Sequence, residues 1–271
     1  MSMYINTNVA AINAHRNLGA NNTQMGKTME KLSSGFRINR AADDAAGLAI
    51  SEKMRFQING LNQASRNAQD GVSLLQTAEG ALTEVHSMLQ RLNTLANQSA
   101  TGTYATKDRE ALQLEVTQLL GEIDNIAKST NFNGIDLLKT AGSVSFQIGV
   151  TAANTLTATL KSMKTSALGL SGLTISSQAA ARSALAKIST AINQVSTQRA
   201  KFGAIQNRLE HTINNLGVTS ENLSASESRV RNADMAKEMT EFTRNQILVQ
   251  AGTAMLAQAN SAPQSVLKLL G

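Results

Sequence analysis

ISTAINQVSTQRAKFGAIQNRLEHTINNLGVTSENLSASESRV, residues 188–230, carries Ile188, Val195, Phe202, Leu209, Leu216, Leu223 and Val230 at intervals of seven. A helix with about 3.5 residues per turn returns every seventh side chain to one narrow face, so the stretch predicts a single long helix with a coiled-coil seam. Gly203 and Gly217 stand singly and off that seam. At about 1.5 Å per residue the stretch spans roughly 63 Å. A compact sphere of this chain length would measure only about 48 Å across, and the sequence therefore predicts a rod. Seven seam residues offer roughly 10–20 kcal/mol of burial. Against this stands about 1–2 kcal/mol of backbone entropy for each ordered residue. The helix needs partners.

The partners are found on both sides of it. Residues 43–98 carry Leu61, Ala68, Leu75, Leu82, Leu89 and Ala96, again at sevens, with Asp43 and Asp44 where negative charge suits a helix start. A third helix is expected over 105–129, from Leu112, Val116, Leu119, Ile123 and Ile126, with Asp108 and Glu110 in its first turn. Weaker helical patterns fill the ends. Ile5, Val9, Ile12, Leu18, Met25, Met29, Leu32 and Phe36 mark the first; Phe242, Val249, Leu256, Pro263 and Leu270 at sevens mark the last, and a parallel row of Leu248, Met255 and Leu269 makes it apolar on more than one face. Ser33-Ser34-Gly35, Thr101-Gly102-Thr103 and Asn133-Gly134 punctuate them.

Around Val144 the period changes to two. Val144, Phe146, Ile148 and Val150 alternate with Ser145, Gln147 and Gly149, and Leu156, Ala158 and Leu160 alternate with threonines. This reads as a β-hairpin near 143–161. Residues 165–176 show no clear period and serve as a connector. The order is roughly palindromic: terminal helix, long helix, middle, long helix, terminal helix. The fold class is mainly α, an elongated antiparallel helical bundle or coiled coil with a small β-hairpin and a terminal two-helix coiled coil. Both ends should lie together.

Composition agrees with long thin helices. Aromatic residues make up 3% of the 271, and Pro263 is the single proline. The net charge of +6 is interspersed rather than gathered in basic runs, which suggests a solvated helix surface and no nucleic-acid partner. No stretch is long and apolar enough for membrane insertion, and the start MSMYINTNVAAINAHRNL lacks the basic region of a secretory signal. Cysteine is absent. His15, His86 and His211 are isolated, and no nucleophile elbow, phosphate loop or dinucleotide fingerprint occurs. The sequence suggests no catalytic, cofactor or metal residues.

Several stretches go beyond pattern. INTNVAAINAHRNL (5–18), KLSSGFRINRAADDAAGLAISEKM (31–54), LNQASRNAQDGVSLLQTAEGAL (61–82) and NFNGIDLL (131–138) resemble the N-terminal half of bacterial flagellin. GAIQNRLEHTINNL (203–216), QILVQAGTAMLAQAN (246–260) and AQANSAPQSVLKLL (257–270) resemble its C-terminal half. The likeness covers nearly the whole chain in order and leaves only about 151–178 undistinguished. Large variable outer domains commonly stand there in flagellins, so the chain looks like a short form. An enzyme inserted in that place would need more room than residues 162–177 provide.

The resemblance implies a subunit that self-polymerises into the flagellar filament for motility, with a hook–filament junction protein as the nearest alternative. It implies an inner domain from 1–42 and 233–271, lining the filament core, and an outer domain over 43–232. Polymer-core packing would fall to Ile5, Val9, Ile12, Leu18, Met239, Phe242, Val249, Leu256, Leu267 and Leu270. It further implies type III export without a cleaved signal, an export chaperone, a filament cap, junction proteins and a secreted, extracellular filament. Many flagellins are recognised by Toll-like receptor 5, and the matching positions here are Arg91, Leu95 and Glu115. Asn93-Thr94 replaces the usual Arg-Glu pair beside them. The plainer alternative places Leu95 between protofilaments and leaves the two charges as ordinary surface groups. The terminal segments, too weakly apolar to fold alone, should be mobile in the monomer and ordered in the polymer.

Overall fold

The structure, a computed structural model, describes the backbone of residues 7–270 and the side chains of residues 7–261. Five helices and two small hairpins follow in chain order: α1 (Val9–Ser34), α2 (Ala45–Ala100), α3 (Thr106–Ser129), β1 (Asn131–Phe132), β2 (Ile135–Asp136), β3 (Gly142–Gln147), β4 (Thr155–Leu160), α4 (Gln178–Arg231) and α5 (Met235–Leu270). The chain divides into two compact units, 57–221 and 1–56 with 222–271. This division falls inside α2 and α4, whereas the sequence reading placed it in the loops at 42/43 and 232/233.

The unit 57–221 is held by the seven-residue seams. Leu61, Ala64, Ala68, Leu75, Ala78, Leu82, Val85, Leu89, Leu92 and Ala96 of α2 are all buried, following a three–four spacing. Ile188, Val195, Phe202, Leu209 and Leu216 of α4 are buried opposite them. The two helices run antiparallel: Ser220 meets Asn62 at 3.0 Å, Gln206 meets Glu79 at 3.2 Å, and Gln178 donates to the carbonyl of Ala100 at 3.0 Å. On α3, Val116, Ile123 and Ala127 close the same core.

The hairpin β3–β4 is antiparallel, with Val144 opposite Ala158 and Phe146 opposite Leu156. Leu156, Ala158 and Leu160 face the core and the intervening threonines face out, as period-two alternation requires. Two glycines of α2 receive it. A Cβ on Gly71 would stand 3.1 Å from the Phe146 ring, and one on Gly60 would stand 2.9 Å from Val150. The second, smaller hairpin β1–β2 turns through Asn133 and Gly134, whose φ angles of 48° and 79° suit the asparagine–glycine pair.

The connector 161–177 is more than a link. Met163, Leu168, Leu170, Leu173 and Ile175 are all buried. Polar side chains fasten its irregular backbone. Gln113 accepts from the Ile175 N–H at 2.6 Å and donates to the Leu173 carbonyl at 3.1 Å. Asp124 takes the Thr165 N–H at 2.8 Å, and Ser99 donates to the Ile175 carbonyl.

Within the unit 1–56 with 222–271, α1 and α5 form the terminal antiparallel pair that the sequence suggested. α1 ends at Ser34, where Gly35 adopts φ 73° and its N–H returns to Lys31. Phe36 therefore leaves the helix. It forms an isolated bridge with Asn232 and lies under the Arg231 guanidinium, 4.8 Å from its ring centre. α2 likewise begins after the acidic pair. Asp44 accepts from the Gly47 N–H at 2.8 Å as a cap, and Asp43 closes the preceding turn by accepting from Arg40 and Asn39. Ile38, in this loop, is 2% exposed.

Candidate assembly surface

The seam between α1 and α5 interleaves large apolar residues with small and polar ones. On α1 it follows Ala11, Ala14, Leu18, Asn21, Met25, Thr28 and Leu32; on α5 it follows Glu238, Phe242, Asn245, Val249, Gly252, Leu256 and Ala259. Both alternate threes and fours, the spacing of a coiled coil. Leu18 sits against Gly252, and Lys31 reaches Glu238 at 3.4 Å. At the other end Asn8 caps α1 by accepting from the Ala11 N–H while its amide donates to the Ala259 carbonyl at 2.7 Å.

This geometry separates the expected packing residues into two sets. Leu18, Phe242, Val249 and Leu256 lie on the seam and are half-buried within the chain itself. Val9, Ile12 and Met239 point away from it and are 57%, 59% and 51% exposed. The Ile5, Leu267 and Leu270 side chains lie outside the described residues. Met29, Leu248 and Met255, which the sequence already places among the apolar rows of these helices, also point outward, as do Met235 and Ile247, which it does not single out. Of the thirteen large apolar side chains exposed among the described residues, eight lie on α1 and α5. Monomeric soluble proteins rarely leave such groups gathered without a partner surface.

Arg91 and Glu115 form an exposed two-point ion pair between α2 and α3, at 2.7 and 3.2 Å. The carboxylate raises the guanidinium pKa further above its ordinary value, through hydrogen bonding first and charge second. Leu95 does not join them at the surface. It is 1% exposed and lies in the core of its own chain, with Leu92 and Ala96. The expectation of Leu95 as a receptor or protofilament contact is corrected accordingly: a seven-residue seam with a second apolar row turns that side of α2 inward.

A cleft of about 430 Å³ is lined by Gln24, Lys27, Glu30, Lys31, Arg37, Asp43 and Asp44 among others. Its acids are occupied: Glu30 pairs with Arg40 at 3.0 Å, and Asp43 and Asp44 accept backbone N–H groups. Hydrogen bonds from the Arg40 and then the Asn39 N–H hold the Asp43 carboxyl below its ordinary value. Among the described residues no cluster of His, Asp and Glu could hold a metal ion, and no helix is long and apolar enough to cross a membrane.

Paired helices with a thin seam and apolar side chains turned outward define a helical protein that works by associating with others. Comparison with known proteins gives the family. The bacterial flagellin N-terminal helical region matches residues 5–143, and the bacterial flagellin C-terminal helical region matches residues 185–270. The chain is 55% identical to a flagellin of Halalkalibacterium halodurans, over 99% of this chain and 100% of that one. It is 50% identical to a flagellin of Bacillus subtilis and to a flagellar filament core protein of Treponema phagedenis, with the same coverage. The crystal structure of Bacillus cereus flagellin superposes with a TM-score of 0.50 at 37% identity, covering 60% of this chain and 94% of that one. The chain belongs to the bacterial flagellin family, in a short form, and is a subunit of the flagellar filament. A hook-associated protein of Vibrio parahaemolyticus shares the fold, with a TM-score of 0.60 at 12% identity.

Proposed function

We propose that α1 and α5 are the polymer-forming part of the subunit and work as an inner domain, 1–42 with 233–271, while 43–232 covers it from outside. The observation that carries this reading is the outward placement of Val9, Ile12, Met239 and their apolar neighbours on helices whose own seam is thin. Neighbouring copies would complete what the α1–α5 pair leaves open. The chain acts by association rather than catalysis. It leaves the cell through the flagellar type III apparatus after a chaperone has held its C-terminal region. It adds beneath a cap at the distal tip, beyond the junction proteins, in an extracellular filament. Electron microscopy of polymer grown from the purified chain tests the core of this reading. Filaments are expected from the wild type, and Val9→Asp with Ile12→Asp should abolish them. Filament growth by that variant would overturn it.

Recognition by Toll-like receptor 5 is the second part of the proposal. The exposed Arg91–Glu115 pair supports it, as a charged, preformed feature open to a partner. Leu95 would act beneath it as packing only. Charge reversal at Glu115 is expected to weaken receptor signalling by monomer, and unchanged signalling would remove the pair from the contact.

A further inference from the structure

Sulfur in this chain is confined to thioethers, since it holds ten methionines and no cysteine. Their placement is uneven. Met163 is 1% exposed, and Met25, Met54 and Met88 are half-buried. Met29, Met235, Met239 and Met255 are 51%, 47%, 51% and 64% exposed. Every exposed methionine among the described residues therefore lies on α1 or α5. These four make up half of the eight outward apolar groups on the two helices.

From this placement we propose that Met29, Met235, Met239 and Met255 are four oxidation-sensitive positions, spread along the outer faces of α1 and α5, that control assembly. The inference rests on the reading of α1 and α5 as the polymer-forming helices, with a second copy of this chain as the occupant of their outer face. Accessible thioethers are attacked by hydroperoxides. The sulfur lone pair takes the terminal oxygen, the O–O bond breaks, and water leaves: thioether plus hydrogen peroxide gives sulfoxide plus water. Each event replaces a flexible apolar tip by a polar, chiral S=O group. In the free subunit the sulfoxide stays hydrated and the 57–221 core is untouched. In the polymer it would be buried, and a polar group buried without a partner opposes association. The reverse step is equally balanced: two thiols of a sulfoxide reductase become a disulfide and release the oxygen as water. The modification would thus act before assembly and be erased by reduction.

Purified wild type and a variant carrying Met29→Leu, Met235→Leu, Met239→Leu and Met255→Leu would be treated with hydrogen peroxide as monomer. Peptide mass spectrometry then locates the sulfoxides, and sedimentation measures the concentration needed for polymer. The wild type should oxidise at these four positions before Met54, Met88 and Met163. Its polymerisation threshold should rise about tenfold or more for each sulfoxide buried without a partner. Methionine sulfoxide reductase should restore it, and the leucine variant should polymerise equally well with and without peroxide. An unchanged threshold in oxidised wild type, or equal inhibition of the leucine variant, overturns the proposal. Untreated Val9→Asp, Ile12→Asp protein separates the two levels: if it still forms filaments, the assembly reading fails, whereas its loss together with oxidation-insensitive wild type defeats the redox proposal alone.

Discussion

Leu18 on α1 lies over Gly252 on α5, so close that a methyl group at Gly252 would stand 3.3 Å from Leu18 Cδ1. The missing side chain is what lets the terminal helices meet. Gly252→Leu places three further carbons beyond that methyl and must drive the pair apart or twist Leu18 off its rotamer. Such overpacking costs about 1–3 kcal/mol. The variant is expected to raise the polymerisation threshold about tenfold, measured by sedimentation, while the cooperative melting of the 57–221 core stays in place. Adding Leu18→Ala should recover part of the loss, as coupled neighbours do.

Amide exchange should divide the chain by seam quality. The α2 and α4 seams bury Leu75, Leu82, Leu89, Ile188, Val195 and Phe202 completely, whereas the α1–α5 seam leaves Leu18, Phe242, Val249 and Leu256 half-buried, with Asn21, Thr28, Asn245 and Gly252 between them. Protection follows buried apolar contact. In monomer, amides at Val249 and Leu256 are expected to exchange far faster than those at Leu82 and Val195, and in polymer they should slow. Strong monomer protection at Val249 or Leu256 would contradict the assembly-coupled ordering of these helices.

The long helices were legible because their seams repeat without interruption from Leu61 to Ala96 and from Ile188 to Leu216. The hairpin showed itself through the alternation of Leu156, Ala158 and Leu160 with threonines. The connector 161–177 was opaque for a physical reason. Its buried groups, Met163, Leu168, Leu170, Leu173 and Ile175, sit on turns and irregular backbone with no period to betray them. What fixes them are the distant Gln113, Asp124 and Ser99. Leu95 was misread as a surface group because one motif position was weighed without its neighbours: Leu92 and Ala96 turn inward beside it. The outward face of α1 and α5 could be named only once Leu18 and Gly252 had fixed which face was the inner one.

Acid should weaken the turn before α2 in a specific window. Asp43 accepts from the Arg40 and Asn39 N–H groups at 2.9 and 3.1 Å, and these bonds hold its pKa below the ordinary carboxylate value. A depressed pKa contributes stability above the unfolded value, and this is lost as pH falls through the folded one. Asp43→Ala is therefore expected to melt below wild type at pH 7, with the difference closing as pH drops below about 4. Thermal unfolding across that range measures it; a constant difference would assign the effect to something other than the carboxylate.

Arg109 offers a stability change that should leave assembly alone. The residue is 9% exposed, and its guanidinium donates to the carbonyls of Ser99 and Thr101, at 3.0 and 2.7 Å, where α2 runs out of its own donors. Arg109→Ala leaves these carbonyls without that partner, and Ser99 itself is bonded to the connector at Ile175. A cost of about 1–3 kcal/mol is expected, the range for buried polar groups left unpaired. Arg109→Lys should rescue only part of it, because one ammonium cannot reproduce the two-point fork. The loss should appear in the unfolding of the 57–221 core, measured by denaturant midpoint. Filament yield at low temperature should stay at the wild-type level, since the hydrogen bonds of Arg109 go to Ser99 and Thr101, within the 57–221 unit. If yield fell in parallel with stability, assembly would depend on the α2–α3 turn, and the division of labour between the terminal helices and the rest of the chain would have to be redrawn.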